Sequence, residues 1–218
     1  MVKIGVLLSG CGVNDGSEIH EAVLTMLALD RLGGERICLA PNIDQRDVVD
    51  HVSGTAAAET RNVLCESARI ARGEISDLAT ISAADMDAVI LPGGFGAAKN
   101  LSDFALAGVE ARVQPDVLGF LKEMHQAKKP IGAICIAPAV IAIALGEFSP
   151  VLTIGNDPAT AAALASFGAR HINCAVTDIV VDEDNSLVST PAYMLGPGLR
   201  EISQGIEKLV QKIVVMAS

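Results

Sequence analysis

Four short apolar runs, each cut off by a turn, constrain this chain more than any other feature. Residues 3–8 (Lys3-Ile4-Gly5-Val6-Leu7-Leu8) stop at Ser9-Gly10-Cys11-Gly12, and residues 36–40 stop at Pro41. Residues 85–91 stop at Pro92-Gly93-Gly94, and residues 131–135 end on Cys135. The runs are continuous rather than alternating, which is the pattern of strands buried on both faces of a parallel sheet. Between the first two runs, Asp15 to Glu18 supplies helix caps, Val23, Leu24, Leu27 and Leu29 recur at helical spacing, and Gly33-Gly34 stops the helix. Strand, helix and strand in repetition imply right-handed crossovers and a layered α/β fold with a mostly parallel sheet.

Half of the 218 residues are hydrophobic but only 3% are aromatic, so the core is built from Ala, Val, Leu and Ile. That length suits one domain over 1–218, large enough to bury its own core. Residues 41–84 are too many for an ordinary connection and read as an insertion over the sheet, with an amphipathic helix at 59–72 and polar loop elsewhere. Residues 179–190 are two β-rich arms around an acidic turn, a hairpin pattern, and 199–216 form a closing helix.

A net charge of −10, with no basic run to offset it locally, argues against nucleic acid and anionic membranes as partners. No stretch of 18 apolar residues occurs and the first residues read as a strand, so the expectation is a cytoplasmic protein in a reducing compartment. Five cysteines without a CxxC pair, and four histidines set apart from them, signal neither a disulfide framework nor a metal site.

The chemistry-bearing residues fall in loops at the carboxyl ends of the expected strands, the edge where open α/β sheets place their ligands. Cys135 ends an apolar run and is followed at once by Ile136-Ala137-Pro138 and a helix-like segment. A lone cysteine in such surroundings is ordinarily core. On a strand-to-helix elbow, however, it projects from the sheet and faces the amides of the following helix, which favour thiolate. Gly93 and Gly94 have no side chains, so their amides and that of Ile136 can form an oxyanion hole. Glu18 and Glu21 share a helical face near its start, where a carboxylate usually serves as a cap. Glu21 lies among apolar neighbours and is the better acid-base candidate, because burial raises a carboxyl toward neutral pH. His20 points about 100° away from Glu21 on a 3.6-residue helix and is a poor base. His51 in the insertion and Cys11 in the first glycine loop are secondary candidates. Cys38 reads as core, and His125 and His171 as surface residues at helix ends.

Gly-Ala-Ile-Cys-Ile-Ala-Pro at 132–138, Leu91-Pro92-Gly93-Gly94-Phe95-Gly96 and Asp15-Gly16-Ser17-Glu18-Ile19-His20-Glu21 resemble the PfpI-like, class I glutamine amidotransferase-like superfamily. Within it, Ser9-Gly10-Cys11-Gly12-Val13, Glu59-Thr60-Arg61-Asn62 and Val180-Val181-Asp182-Glu183-Asp184-Asn185 resemble the ElbB family of isoprenoid biosynthesis glyoxalases, over essentially the whole chain. The resemblance implies a flavodoxin-like three-layer sandwich and a homodimer. It further implies nucleophilic Cys135, acid-base Glu21, oxyanion amides at Gly94 and Ile136, and conversion of glyoxal to glycolate, or methylglyoxal to lactate, without cofactor, metal or glutathione. Many superfamily members carry a histidine directly after the cysteine or on a later strand. Here Ile136 follows Cys135 and Thr153-Ile154-Gly155-Asn156-Asp157 offers none, which argues against protease or amidase chemistry. The competing reading is a low-pKa exposed thiol that oxidises as a redox sensor or regulator linked to isoprenoid metabolism.

Overall fold

The computed structural model describes residues 1–218. The first half comprises strand β1 (Lys3–Leu7), helix α1 (Ile19–Arg31), β2 (Glu35–Ala40), β3 (Val49–Asp50), β4 (Thr55–Ala56), α2 (Val63–Ile70), β5 (Ser76–Asp77), β6 (Ala88–Leu91), α3 (Phe95–Lys99) and α4 (Phe104–Ala107). The second half comprises α5 (Pro115–Gln126), β7 (Ile131–Ile134), α6 (Ala137–Leu145), β8 (Val151–Leu152), α7 (Pro158–Ser166), β9 (Arg170–His171), β10 (Val180–Asp182), β11 (Leu187–Thr190) and α8 (Leu199–Met216).

Seven strands form the main sheet in the order β10-β11-β7-β6-β1-β2-β5. All neighbours are parallel except the β10–β11 hairpin at one edge. The four apolar runs are therefore the central strands β1, β2, β6 and β7, and β1, β6 and β7 are buried along nearly their whole length. Side chains alternate across the sheet. Leu7, Leu39, Val89, Leu91, Ile131 and Ala133 pack with α5 and α6 on one face. Val6, Cys38, Ile90, Ile134 and Val188 pack with α1 and α8 on the other. The result is an α/β fold of three layers, closed by small aliphatic side chains that let helices approach closely.

Residues 41–84 hold more structure than a helix and polar loop. Val49–Asp50 and Thr55–Ala56 pair as a two-stranded hairpin, and Ser76–Asp77 adds a parallel edge strand beside β2. The helix is shorter than 59–72, starting at the Asn62 cap, whose side chain accepts from the Cys65 amide at 3.0 Å. The segment is tied to the first glycine loop and to α3: the Val49 amide donates to Asp15 at 2.8 Å, and the Arg46 amide donates to Asn100 at 2.9 Å. His171 lies on β9 rather than at a helix end, and its Nε2 accepts from the Ile154 amide at 3.2 Å.

Candidate active site

The carboxyl ends of β1, β6 and β7 bring three loops together. Main-chain bonds zip the first two: the Glu18 amide donates to the Gly93 carbonyl at 2.9 Å, Phe95 to Val13 at 2.7 Å and Gly96 to Gly16 at 2.8 Å. Gly94, with φ of 93°, makes this approach possible, since a Cβ there would lie 2.4 Å from the Glu18 nitrogen.

Glu18 caps α1, accepting the Glu21 amide on Oε2 at 2.7 Å. Glu21 is fully buried one turn later. Its Oε2 accepts the Gly93 amide at 2.9 Å and its Oε1 accepts the Tyr193 amide at 3.3 Å. The side chain also lies beside Cys135, both flanking the same face of Gly93. Burial, reinforced by the nearby Glu18 charge, pushes the Glu21 carboxyl up to about 8 despite these donors.

Cys135 sits at the elbow between β7 and α6 with φ of 62°, in the left-handed region that side chains disfavour. Its amide donates to Thr190 of β11 at 2.9 Å, which anchors the elbow to the next strand. The thiol is buried, and burial followed by the Glu21 charge holds it well above the usual cysteine value. The amides of Gly94 and Ile136 face the sulfur and act in the opposite direction. The low-pKa, exposed thiol expected from the elbow pattern is therefore corrected. Helix amides are present, but in a nearly dry site desolvation and an adjacent carboxylate outweigh them.

Gly93 also departs from expectation. Its amide is committed to Glu21, so it positions that carboxyl and is not free to join an oxyanion hole, which leaves the amides of Gly94 and Ile136 to face the Cys135 sulfur. A Cβ on Gly93 would stand 2.5 Å from Cys135 Cβ and 2.8 Å from Glu21 Oε2. Of the secondary candidates, only Glu18 lines the cavity. His51 caps the first loop, Nε2 accepting from the Asn14 amide at 3.2 Å and Nδ1 donating to Val49 at 2.9 Å, so neither nitrogen is free to act as a base. Cys11 is half-buried beneath that loop, and burial and Glu66 raise its thiol. His20 turns away from the dyad, Nδ1 lying 2.9 Å from the Tyr193 hydroxyl.

Above Cys135 opens a cavity of about 370 Å³, walled by Val13, Phe95, Ile136 and Met194 with Glu18 and Tyr193 at its side. Tyr193 is the site residue that sequence reasoning missed. It is the only tyrosine in the chain, and that rarity was the one available signal. No group of three His, Cys, Asp or Glu side chains converges in a way that could hold a metal. The arrangement can present a nucleophilic sulfur, a buried proton carrier and two amide donors to one small electrophile.

The site is thus a cysteine elbow facing a buried glutamate of α1 at the carboxyl edge of a parallel α/β sheet. The chain belongs to the DJ-1/PfpI family, whose model matches residues 13–147. It is 46% identical over 222 residues to the human glutamine amidotransferase-like class 1 domain-containing protein 3, mitochondrial, covering 97% of this chain and 82% of that one. It is 34% identical to the zebrafish ES1 protein, mitochondrial, covering 99% and 86%. An Ehrlichia chaffeensis isoprenoid biosynthesis protein with an amidotransferase-like domain superposes with a TM-score of 0.93 at 39% identity, each chain covered completely. These relatives overturn the cytoplasmic expectation, since the human, rat and zebrafish proteins are all named mitochondrial. A strand-like start and the absence of an 18-residue apolar stretch, on which that expectation rested, do not report compartment. No helix is long and apolar enough to cross a membrane.

Proposed function

We propose that this protein is a cofactor-independent glyoxalase of the ElbB type, converting glyoxal to glycolate, and methylglyoxal to lactate, through Cys135 and Glu21. The observation that carries the reading is the Glu21 carboxyl, fully buried beside Cys135 and held by the Gly93 amide at 2.9 Å, where burial raises it to about 8. A carboxyl so placed exchanges protons near neutral pH.

The dyad ionises as a unit, each group opposing the charge of the other. In the singly ionised pair, Sγ adds to the aldehyde carbon while the thiol proton passes to Glu21. The amides of Gly94 and Ile136 receive the alkoxide, which Glu21 then protonates to give a hemithioacetal. Glu21 next removes the proton from that carbon and delivers one to the neighbouring carbonyl carbon through an enediol. One carbon is oxidised and its neighbour reduced, so no electron carrier is consumed. Water cleaves the resulting thioester, releasing the hydroxy acid and restoring the thiol.

The redox-sensor reading is less well supported, because a buried thiol held above its usual pKa is a poor target for oxidants. The Ehrlichia relative's name is what supports a link to isoprenoid metabolism, and the names of the other relatives favour a mitochondrial setting. A single unit over 1–218, acting as a homodimer, completes the proposal, with light scattering as the check on the dimer. The deciding experiment follows glycolate from glyoxal for wild-type, Cys135→Ala and Glu21→Gln proteins without metal or glutathione. Turnover lost in both variants is expected, and turnover surviving in both rules the mechanism out.

A further inference from the structure

The cavity above Cys135 is far larger than glyoxal, and its lining has a definite chemical bias. Val13, Phe95, Ile136 and Met194 make its walls apolar, and no lysine, arginine or histidine lines it. The lysine that stands over Phe95 is already engaged. Lys99 Nζ stands 5.5 Å over the Phe95 ring but bonds both Asp47 oxygens, at 2.9 and 3.2 Å, and the Asn14 carbonyl at 3.1 Å.

The one charged side chain in the lining is Glu18. Its Oε2 is used to cap α1, whereas its Oε1 has no hydrogen-bond partner. The group nearest to neutralising Oε1 is His20, 3.8 Å away, and that ring nitrogen also meets the Tyr193 hydroxyl at 2.9 Å. A largely buried carboxylate therefore stands at the side of an apolar chamber whose lining holds no lysine or arginine, its one ion-pair partner being the exposed His20 ring.

Resting on the glyoxalase reading for the reacting group, we propose that the site takes α-oxoaldehydes with an uncharged apolar substituent, which the cavity walls bury, and that Glu18 excludes substrates carrying a carboxylate or phosphate. Glu18 is here a specificity residue. The reacting end is held at Cys135 by the Gly94 and Ile136 amides, and the substituent extends between Phe95 and Met194.

Two measurements test this, and only the second depends on turnover. In the first, Cys135 is alkylated with iodoacetamide and with iodoacetate, monitored by peptide mass. In both cases Sγ forms a bond to carbon and iodide leaves, so the ratio of rates cancels differences in thiolate fraction and reads the reagent's charge. Relative to the same ratio for glutathione, wild-type protein should disfavour iodoacetate about tenfold or more, a difference of the size expected for one like-charge contact beside a largely buried carboxylate. Glu18→Gln, which keeps an acceptor for the Glu21 amide, should recover most of that difference. A wild-type ratio equal to that of glutathione overturns the proposal whether or not the variant folds, as does an unchanged ratio in a folded variant.

In the second, kcat/KM is compared for glyoxal, phenylglyoxal and 4-carboxyphenylglyoxal. Phenylglyoxal should exceed glyoxal by about tenfold or more, as burial of an aromatic ring allows, and the carboxylated analogue should be poorest. A preference for glyoxal or for the carboxylate overturns the proposed selectivity. Alkylation selectivity without turnover of any oxoaldehyde removes the glyoxalase reading and leaves the charge filter standing.

Discussion

The amide of Gly93 donates to Oε2 of Glu21 at 2.9 Å, so the turn after β6 orients the buried carboxyl beside Cys135. The same glycine leaves no room for a side chain, with Cys135 Cβ 2.5 Å and Glu21 Oε2 2.8 Å from where a Cβ would stand. Gly93→Ala must therefore push the two dyad residues apart. It should destabilise the fold by about 1–3 kcal/mol, as overpacking does, and remove activity more completely than that loss explains. Thermal melts and glycolate assays on the same preparation check both parts.

Burial of Glu21 should make stability fall as pH rises. Its folded pKa of about 8 lies above the ordinary carboxyl value of 4.5, so below 4.5 both states are protonated and there is no differential effect. Between 4.5 and about 8 the unfolded chain ionises while the folded one holds its proton, and stability declines by up to about 1.4 kcal/mol per pH unit. Above 8 the effect levels off. Glu21→Gln removes this contribution, so the variant should gain on wild-type steadily from pH 5 to pH 8. Parallel denaturant titrations across that range check it, and a constant difference between the two proteins would count against a raised carboxyl.

Much of this arrangement was legible in the sequence because its signals are local. Continuous apolar runs ending in glycine turns fix β1 and β6, and the run that stops at Cys135 fixes β7 and the elbow. Glu18 and Glu21 were separable as cap and buried acid from the residues around them. What escaped depends on partners distant in sequence. The Tyr193 amide reaches Glu21 across 172 positions, and no pattern around Tyr193 announces a main-chain donor. The direction of the Gly93 amide decided its role, and sequence does not encode that direction. Strands of two residues, such as Ser76–Asp77 and Arg170–His171, are too short for any period to register.

The elbow should carry measurable strain. Cys135 holds φ of 62°, a conformation that costs a side-chain-bearing residue about 1–2 kcal/mol. Cys135→Gly relieves it, whereas Cys135→Ala does not. With both variants inactive and lacking the thiol, the glycine form should melt higher by roughly 2–4 °C for each kcal/mol relieved in a chain of this size. The flexibility that glycine adds to the unfolded chain offsets part of the gain, so a modest upward shift is the expected reading. An alanine form that melts as high as the glycine form would mean the elbow is unstrained.

Asn100 should matter to the site without touching it. Its Nδ2 donates to the carbonyls of Ser9 and Asp15, both at 2.9 Å, and its Oδ1 accepts the Arg46 amide at 2.9 Å. One buried side chain thus joins both ends of the first glycine loop to residues 41–84. Asn100→Leu is similar in size but leaves three main-chain groups without partners. Each unsatisfied buried group costs about 1–3 kcal/mol, so a loss of several kcal/mol is expected. Because the loop it holds also carries Val13 and feeds into Glu18, the loss should come first as local opening. Hydrogen exchange should show amides from Gly10 to Ser17 losing protection while β7 keeps it. Uniform loss of protection across the sheet would instead make Asn100 a general stability residue with no special tie to the first loop.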